Sequence, residues 1–582
     1  MLGHSGPYSA SLCTSAHCIR AFPRGNRAME KTRIRLPENC DRYAKLSFLA
    51  HHTSLFERLS TKGAFMKLWY FSSVLPSEST TFRALTARLA VQYGGSFQIT
   101  LFVPACVNAP CECNGCTVHL FETQTDAMLH NALGAEFALS YEMHLAARKA
   151  AEDCGMPDVI LFSLKNAAPY YTLLYRYLDS AFWANCPIFI EEEPTMTDDG
   201  LPFYLLPHWW IEQQKTFCRM AASGIIGAAP DACPPRRLSE AVCAAQDKPF
   251  QPSEFPFLTV RPQSPISATD SIPGMLTVIV PYYNLGKTLP QTLKSAFAID
   301  YPSYEVLLID DGSSDADSIA VLREMETYYP YLRIVRQENH GLSYVRNLGS
   351  RLARGEYITF LDADDMVAPD FYRRAIALLE QYKNAAYVSC WFRLFGDAEG
   401  YKAYFPSCLP ALLLDNMQGP GCVCRRSVFL AYGQNCTDMH KGLEDHEFWI
   451  NMAEHGYFGL NIPEPLFLYR LSGSSMSAAF SRDPSHYRQT TLFQVLEEKH
   501  TALYQEYSTE VYNLLMANGP SYLWPGPASP HAVIGYIEYP PEFWMKEIEL
   551  ARTDAANYAN SCSYRLGQFL LHPLRFFKNN SK

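Results

Sequence analysis

Gly355-Glu-Tyr-Ile-Thr-Phe-Leu-Asp-Ala-Asp-Asp365 is the stretch on which the fold turns. Tyr357 to Leu361 is an apolar, β-prone run of buried-strand type that stops abruptly in three carboxylates. Residues i and i+2 of a strand share a face, so Asp362 and Asp364 are expected to project together from its carboxyl end. Open α/β sheets bind ligands just outside the carboxyl ends of their strands. Two hard oxygen donors on one side suit Mg²⁺ or Mn²⁺, with phosphate oxygens and water completing the shell. Taken alone, the same residues also read as an acidic turn, and the surrounding sequence has to decide.

Upstream, Leu276-Thr-Val-Ile-Val280 is a second buried-type strand, ending in Pro281-Tyr-Tyr-Asn284 and followed by a helix from Thr288 through Phe297. A third, Glu305-Val-Leu-Leu-Ile309, runs into Asp310-Asp-Gly-Ser-Ser-Asp315. Small and acidic residues after a strand permit a tight turn and leave a carboxylate at the sheet edge. A helix at Ile319–Tyr328 and a strand at Leu332–Arg336 follow. Asn339-His-Gly-Leu-Ser-Tyr-Val-Arg-Asn347 then opens the helix that leads back to Gly355.

Val278-Ile-Val-Pro-Tyr-Tyr-Asn284, Asp310-Asp-Gly-Ser313, Gly341 to Arg346-Asn347 and Asp362-Ala-Asp364 occur in order at sensible spacing. Together they resemble the nucleotide-binding half of an inverting GT-A glycosyltransferase of the large family 2, over about residues 273–480. The resemblance implies that Pro281 and Tyr283 line a base pocket and that Asp311 accepts a hydrogen bond from the base, usually uracil. An ionised Asp is acceptor-only and uracil N3–H is a donor, so the chemistries match. It further implies that Arg346 braces the pocket, Asp362 contacts ribose or metal, and Asp364 holds the divalent cation on the diphosphate.

Gly442-Leu-Glu-Asp-His-Glu-Phe-Trp449 resembles the family's Glu-Asp pair at a helix start. Inversion in one displacement needs a base on the acceptor hydroxyl, and the resemblance assigns it to Asp445, with Glu444 as a charged neighbour that raises its pKa. An acidic first turn is also what any helix start favours. His446 reads as a residue of the helix surface. Tyr469-Arg-Leu-Ser-Gly-Ser-Ser-Met-Ser477 resembles the closing loop in which an arginine, here Arg470, covers the leaving diphosphate. The family often has a histidine near this loop; Leu471-Ser472-Gly473 stands in its place. Gly419-Pro-Gly421 reads as an acceptor-side turn.

Residues 1–65 read as a loose leader with one short helix near Leu46–Leu59. Residues 66–230 alternate strands (Lys67–Ser73, Phe97–Val103, Thr117–Phe121, Asp158–Phe162, Pro187–Ile190) with helices (Thr81–Tyr93, Ala168–Trp183), the rhythm of a Rossmann-like α/β domain. Rhythm and the opening Met66-Lys-Leu-Trp-Tyr-Phe-Ser-Ser73 resemble the amino-terminal lobe of a two-lobed GT-B glycosyltransferase, which implies acceptor binding or scaffolding. Cys106, Cys111, Cys113 and Cys116 could hold a structural Zn²⁺, but their spacing is not that of a common zinc site and Pro110 and Gly115 mark an ordinary loop. Seven prolines between Pro234 and Pro265 make residues 231–272 a semi-rigid linker to the 273–490 domain.

A 582-residue chain with 48% hydrophobic and 19% charged residues is a globular one of several domains. A net charge of −10 leaves no basic stripe for nucleic acid. Eighteen cysteines without a signal-peptide pattern or a bilayer-length apolar run read as free thiols of a cytoplasmic protein. Residues 491–582 read as a helical extension, with helices at Thr491–Leu503 and Trp544–Asn560. Its end, Tyr564 to Lys578, either lies on the inner face of the plasma membrane, suiting a lipid-linked acceptor, or docks on the protein's own core. By resemblance the tail is in the style of bacterial surface-polysaccharide enzymes. The expectation is a metal-dependent inverting transferase moving a sugar from a nucleotide-sugar donor, UDP-linked, to a glycan or lipid-linked acceptor. A nucleotidyltransferase and a non-catalytic sugar-nucleotide scaffold are the competing readings.

Overall fold

The computed structural model describes residues 65–73, 79–105, 112–192, 206–227, 233–248, 250–256, 258, 270–404, 409–416, 418–439, 442–472, 487–518 and 535–538. The leader helix near Leu46–Leu59, the Trp544–Asn560 helix, the Tyr564–Lys578 segment, Cys106, Cys111 and most of the closing loop after Ser472 lie outside them.

Strands β1 (Met66–Phe71), β2 (Phe97–Pro104), β3 (Glu112–Cys113), β4 (Cys116–Phe121), β5 (Val159–Ser163), β6 (Ile188–Glu191) and β7 (Gly224–Ile226) form a sheet ordered β3-β4-β2-β1-β5-β6-β7. All its neighbours are parallel except the β3–β4 hairpin. Helices at Ser79–Tyr93, Ala135–Cys154, Tyr170–Leu178 and Leu206–Ala221 make the crossovers. The single helix expected over Ala168–Trp183 is broken at Asp179, whose backbone (φ −134°, ψ 62°) leaves the helical region.

The second sheet contains β8 (Ile272–Tyr282), β9 (Tyr304–Asp310), β10 (Leu332–Arg336), β11 (Gly355–Phe360), β12 (Met366–Val367), β13 (Tyr387–Gly396), β14 (Glu399–Lys402), β15 (Cys422–Arg425), β16 (Gly459–Leu471) and β17 (Gly535–Glu538). Its order is β10-β9-β8-β11-β15-β13-β14-β17, with β16 beside β13 and β12. The run β10-β9-β8-β11 is parallel, and β15 then pairs antiparallel to β11. Leu276 through Tyr282 are all buried, as expected for a strand covered on both faces. The helix Leu342–Leu352 lies close on this sheet: a Cβ on Gly349 would meet Ile279 Cγ2 at 2.5 Å.

The described residues form one compact unit, and one apolar core runs through both sheets. Tyr141 and Tyr171 pack on Trp391 at ring-centroid distances of 5.3 and 5.9 Å. Tyr382 donates to the Tyr177 carbonyl (2.7 Å). Glu464 takes two hydrogen bonds from Arg374 (2.8 and 2.5 Å) and one from Tyr175 (2.8 Å), and these donors hold its carboxyl below the usual range despite its burial. The expected linker contributes to this core: Leu238–Gln246 is a helix with Leu238, Val242 and Cys243 buried. Phe255 is buried against Tyr177 and Tyr382, pinned by Asn384, which bonds its N–H and carbonyl. Proline density excludes regular ladders but not packing, and here the segment fills the seam.

In the extension, the expected Thr491–Leu503 helix is two helices, Tyr487–Lys499 and Thr501–Glu506, followed by a third at Ser508–Asn518. His500 marks the break and reaches back to the helix Glu444–Glu454, its Nδ1 2.7 Å from Glu454 Oε2.

Candidate active site

The regular strand β11 stops at Phe360, yet its two-residue alternation continues: Leu361, Ala363 and Asp365 are buried while Asp362 and Asp364 are partly exposed. The two carboxylates therefore share a side, as the sequence implies. Burial and the Asp362 charge push the Asp364 carboxyl up to about 6. Asp365 is turned inward, with Oδ1 accepting from Arg470 N–H (2.7 Å) and Oδ2 unpartnered. Burial, with Asp364 and Asp362 nearby, pushes its carboxyl well up. This corner carries more negative charge than its partners offset, which fits a divalent cation. Among the described residues no group of three or more metal-type side chains converges, so phosphate and water oxygens would have to complete the shell.

The base-pocket residues divide. Pro281 is buried in β8, and Tyr283 is 46% exposed just beyond its end. Asp310 accepts from Ser313 N–H and shapes the turn. Asp311 is nearly saturated: Oδ1 accepts from Gln337 Nε2 (2.7 Å) and His340 N–H (2.9 Å), and Oδ2 from Gly341 N–H (2.8 Å). A carboxylate has about four acceptor positions, so one is left. Three bonds tie the turn after β9 to the segment from Gln337 to Gly341 that leads into the helix Leu342–Leu352, a holding role that the sequence reading did not assign.

That helix delivers Arg346, 2% exposed, to the centre of the site. Its Nη2 bonds both oxygens of Asp362 (3.0 and 3.0 Å), and its Nη1 bonds Glu444 Oε1 (2.9 Å). Burial alone would lower its pKa, but Asp362 and Glu444 outweigh it and hold the guanidinium charged. One buried cation thus joins two acidic motifs about eighty residues apart in sequence.

The helix Glu444–Glu454 starts from Leu443 in the left-handed region (φ 61°), a costly conformation for a branched residue. Asp445 is partly exposed, with Oδ1 accepting from His446 N–H (2.9 Å) and Oδ2 from Asn416 Nδ2 (2.8 Å). Burial and the Asp445 charge, against the pull of Arg346, push the Glu444 carboxyl up to about 7. His446 is not on the helix surface. It is fully buried, its Nε2 lies 2.5 Å from the Leu412 carbonyl, and burial lowers its pKa.

Asn416 belongs to the loop that contains Gly419-Pro-Gly421. This loop lies flat on the stacked rings of Phe392 and Phe467 (4.6 Å apart): a Cβ on Gly419 would sit 2.1 Å from Phe392 and one on Gly421 2.4 Å from Phe467. The turn is therefore beside Asp445. Arg470 stands at the other end, its Nε donating to the Asp364 carbonyl (2.7 Å) and its Nη2 to Gln291 (2.6 Å). Cys113 and Cys116 flank the β3–β4 turn as free thiols.

Sequence reading missed Lys402, Asp415 and Asn416. Their place near Asp445 depends on cross-strand pairing and loop packing, for which no local motif exists.

Residues 277–430 match the family model described as Glycosyl transferase family 2. An uncharacterized glycosyltransferase, YibD, of Escherichia coli (strain K12) is 35% identical over 103 residues, 18% of this chain and 30% of that one. An uncharacterized glycosyltransferase of Haemophilus influenzae is 28% identical over 201 residues, 33% of this chain and 67% of that one. A chondroitin synthase of Escherichia coli is 31% identical over 138 residues, 24% of this chain and 19% of that one. The chain thus spans under a third of the first relative's length and about two thirds of the second's. The matched residues contain most of β8, all of β9 and β11, and the acidic corner, so it is this part of the chain that is similar to family 2 glycosyltransferases.

Proposed function

We propose that the chain is an inverting glycosyltransferase that moves a sugar from a nucleotide-sugar donor to a hydroxyl of a glycan or lipid-linked acceptor. The observation that carries this reading is the Arg346 bridge, which brings Asp362 and the Glu444–Asp445 pair to one cleft. Donor-side and acceptor-side carboxylates then face the same reacting centre, the arrangement a single in-line displacement requires.

In this reading Tyr283 lies against the base, and the remaining acceptor position of Asp311 takes an imide N–H, which favours uridine. Asp364 and Asp362 would hold the Mn²⁺ or Mg²⁺, which when bound supplies positive charge to the diphosphate. Arg346 keeps Asp362 oriented, and Arg470 adds a second cation beside the leaving group. Asp445 Oδ2, oriented by Asn416, takes the proton of the acceptor hydroxyl as that oxygen attacks the anomeric carbon. Glu444, buried and paired to Arg346, positions rather than reacts.

The domain plan belongs to this proposal: a Rossmann-like module over 66–230, joined through 231–272 to the 273–490 transferase, with a 491–582 extension. The first module faces or supports the acceptor, and the protein works at the cytoplasmic side of the membrane in surface-polysaccharide synthesis. No helix among the described residues is long and apolar enough to cross a membrane.

A thermal-shift panel of nucleoside diphosphates and nucleotide sugars, with Mn²⁺ and with EDTA, tests the reading. A ligand at a hundred times its Kd adds about 2.7 kcal/mol of apparent stability. One nucleotide should stabilise the protein only with metal, and Asp364→Ala should abolish that gain. Equal stabilisation in Asp364→Ala would overturn the metal assignment, and silence across the panel would favour a scaffold.

A further inference from the structure

The face of β14, β13 and β16 that the Gly419–Gly421 loop covers carries one further set of groups. Lys402 pairs with Phe392 across β14–β13, and Phe392 pairs with Phe467 across β13–β16, so their side chains share a face. Tyr469, two residues beyond Phe467, is on it too, its ring 5.8 Å from the Lys402 ammonium. The loop with Asp415 and Asn416 closes over this floor at Gly419, and Asn416 hands on to Asp445.

The charges there are close enough to act on one another but are not joined. Among the described residues no carboxylate oxygen lies within 4.0 Å of the Lys402 ammonium, although Asp415 and Asp445 both act on it. Burial drives the Lys402 ammonium down and the Asp415 carboxyl up to about 6. Asp415 offers one oxygen to Asn416 N–H and keeps the other without a donor among the described residues. A cation and a carboxylate across an unbridged gap suit a hydroxyl, which accepts from an ammonium and donates to a carboxylate at once. A phosphate or carboxylate on the ligand would instead meet two acids for one lysine.

We propose that Lys402 and Asp415, beside the partly exposed Tyr469 ring, form the acceptor subsite and select a neutral polyhydroxylated acceptor, a sugar ring presenting adjacent hydroxyls, next to the one that Asp445 deprotonates. This rests on the transferase reading for the role of Asp445, but the sugar contact itself does not.

The test is saturation-transfer NMR on the full chain with Mg²⁺ and a panel of neutral methyl hexopyranosides at millimolar concentration. It is run without nucleotide and again with UDP or GDP, with glycerol 3-phosphate and a methyl glucuronide as anionic probes. At least one neutral glycoside should receive saturation on its ring protons. That signal should fall at least fivefold in Lys402→Met and in Asp415→Asn and persist without nucleotide in Asp364→Ala. Asp415→Asn is nearly isosteric, so a folding defect in Lys402→Met leaves that variant to judge by. Unchanged signal in the variants, no neutral binder, or binding of the anionic probes alone would each overturn the proposal. Glycoside binding as predicted with no nucleotide stabilisation would sink the transferase reading and leave the sugar subsite standing. Nucleotide stabilisation with unaltered glycoside binding would do the reverse.

Discussion

Both sheets end strands in carboxylates, and the two ends behave differently. In the first sheet Glu191 closes β6, where Oε1 accepts from Arg88 (2.7 Å) and Tyr93 (3.0 Å) and Oε2 from Tyr70 (2.7 Å). Burial and the Glu191 charge raise both phenols, and Arg88 stays charged because Glu191 and Tyr70 outweigh its burial. In the second sheet Asp362 shares one guanidinium with Glu444, Asp364 has no side-chain donor among the described residues, and Asp365 keeps an unpartnered oxygen. A strand-end carboxylate is available for chemistry only when its acceptor capacity is unspent. By that criterion Glu191 is a rivet, Asp311 nearly one, and Asp364 keeps its acceptor capacity for a ligand.

The largest effect that would break this comparison is on transfer itself. Asp445→Asn should lower sugar transfer about a thousandfold while leaving metal-dependent nucleotide stabilisation in place, because a general base contributes roughly 10²–10⁴. Nucleoside diphosphate release and thermal shift on the same sample separate the two, and full transfer by the variant would remove Asp445 from the mechanism.

The rivet makes the next largest prediction. Glu191→Ala leaves the Arg88 charge and two phenols without their acceptor and should cost about 3 kcal/mol, read as a lower urea midpoint. The nucleotide-dependent gain in stability should not change. A neutral outcome would mean that the network is filled by water and that the contrast between the sheets is weaker than its geometry.

Asp364 predicts the opposite sign. Its carboxyl sits at about 6 in the fold against roughly 4 unfolded, so the folded state binds the proton more tightly. Stability from this group is greatest in acid and is lost as pH rises from about 4 to about 6. Asp364→Asn in EDTA should therefore stabilise the protein at pH 7.5, on the order of 2 kcal/mol, and by less at pH 5. Destabilisation at pH 7.5 would show that the carboxylate already has a partner.

A smaller effect sharpens the boundary between the sheets. Tyr401 donates to Asp126 Oδ2 (2.6 Å) from β14, and Tyr401→Phe should cost about 1 kcal/mol in a urea melt. No change would make that contact incidental.

Much of this was legible in the sequence because it is local. Buried strands that stop in Asp310 or Asp362 announce both the sheet and its working edge, and the alternation from Leu361 to Asp365 follows from a period of two. Arg346 was legible only as a brace. That it grips Glu444 depends on where a helix 98 residues later comes to rest. Lys402 and Asp415 carry no motif, and their meeting is set by the β14–β13 register and by two glycines pressed on aromatic rings. The linker misled for a related reason: prolines reported what the backbone could not do, while Phe255 and Val242 decided where it went.

The aromatic seam has a practical consequence for anyone dissecting this protein. A fragment beginning near residue 270 would carry the whole matched segment, yet it would lift Tyr141, Tyr171 and Tyr177 away from Trp391 and Tyr382 and leave Glu464 without Tyr175. Such a fragment should be poorly soluble, and the intact chain should melt in one calorimetric transition. The boundary suggested by the prolines would then be invisible to a melting experiment.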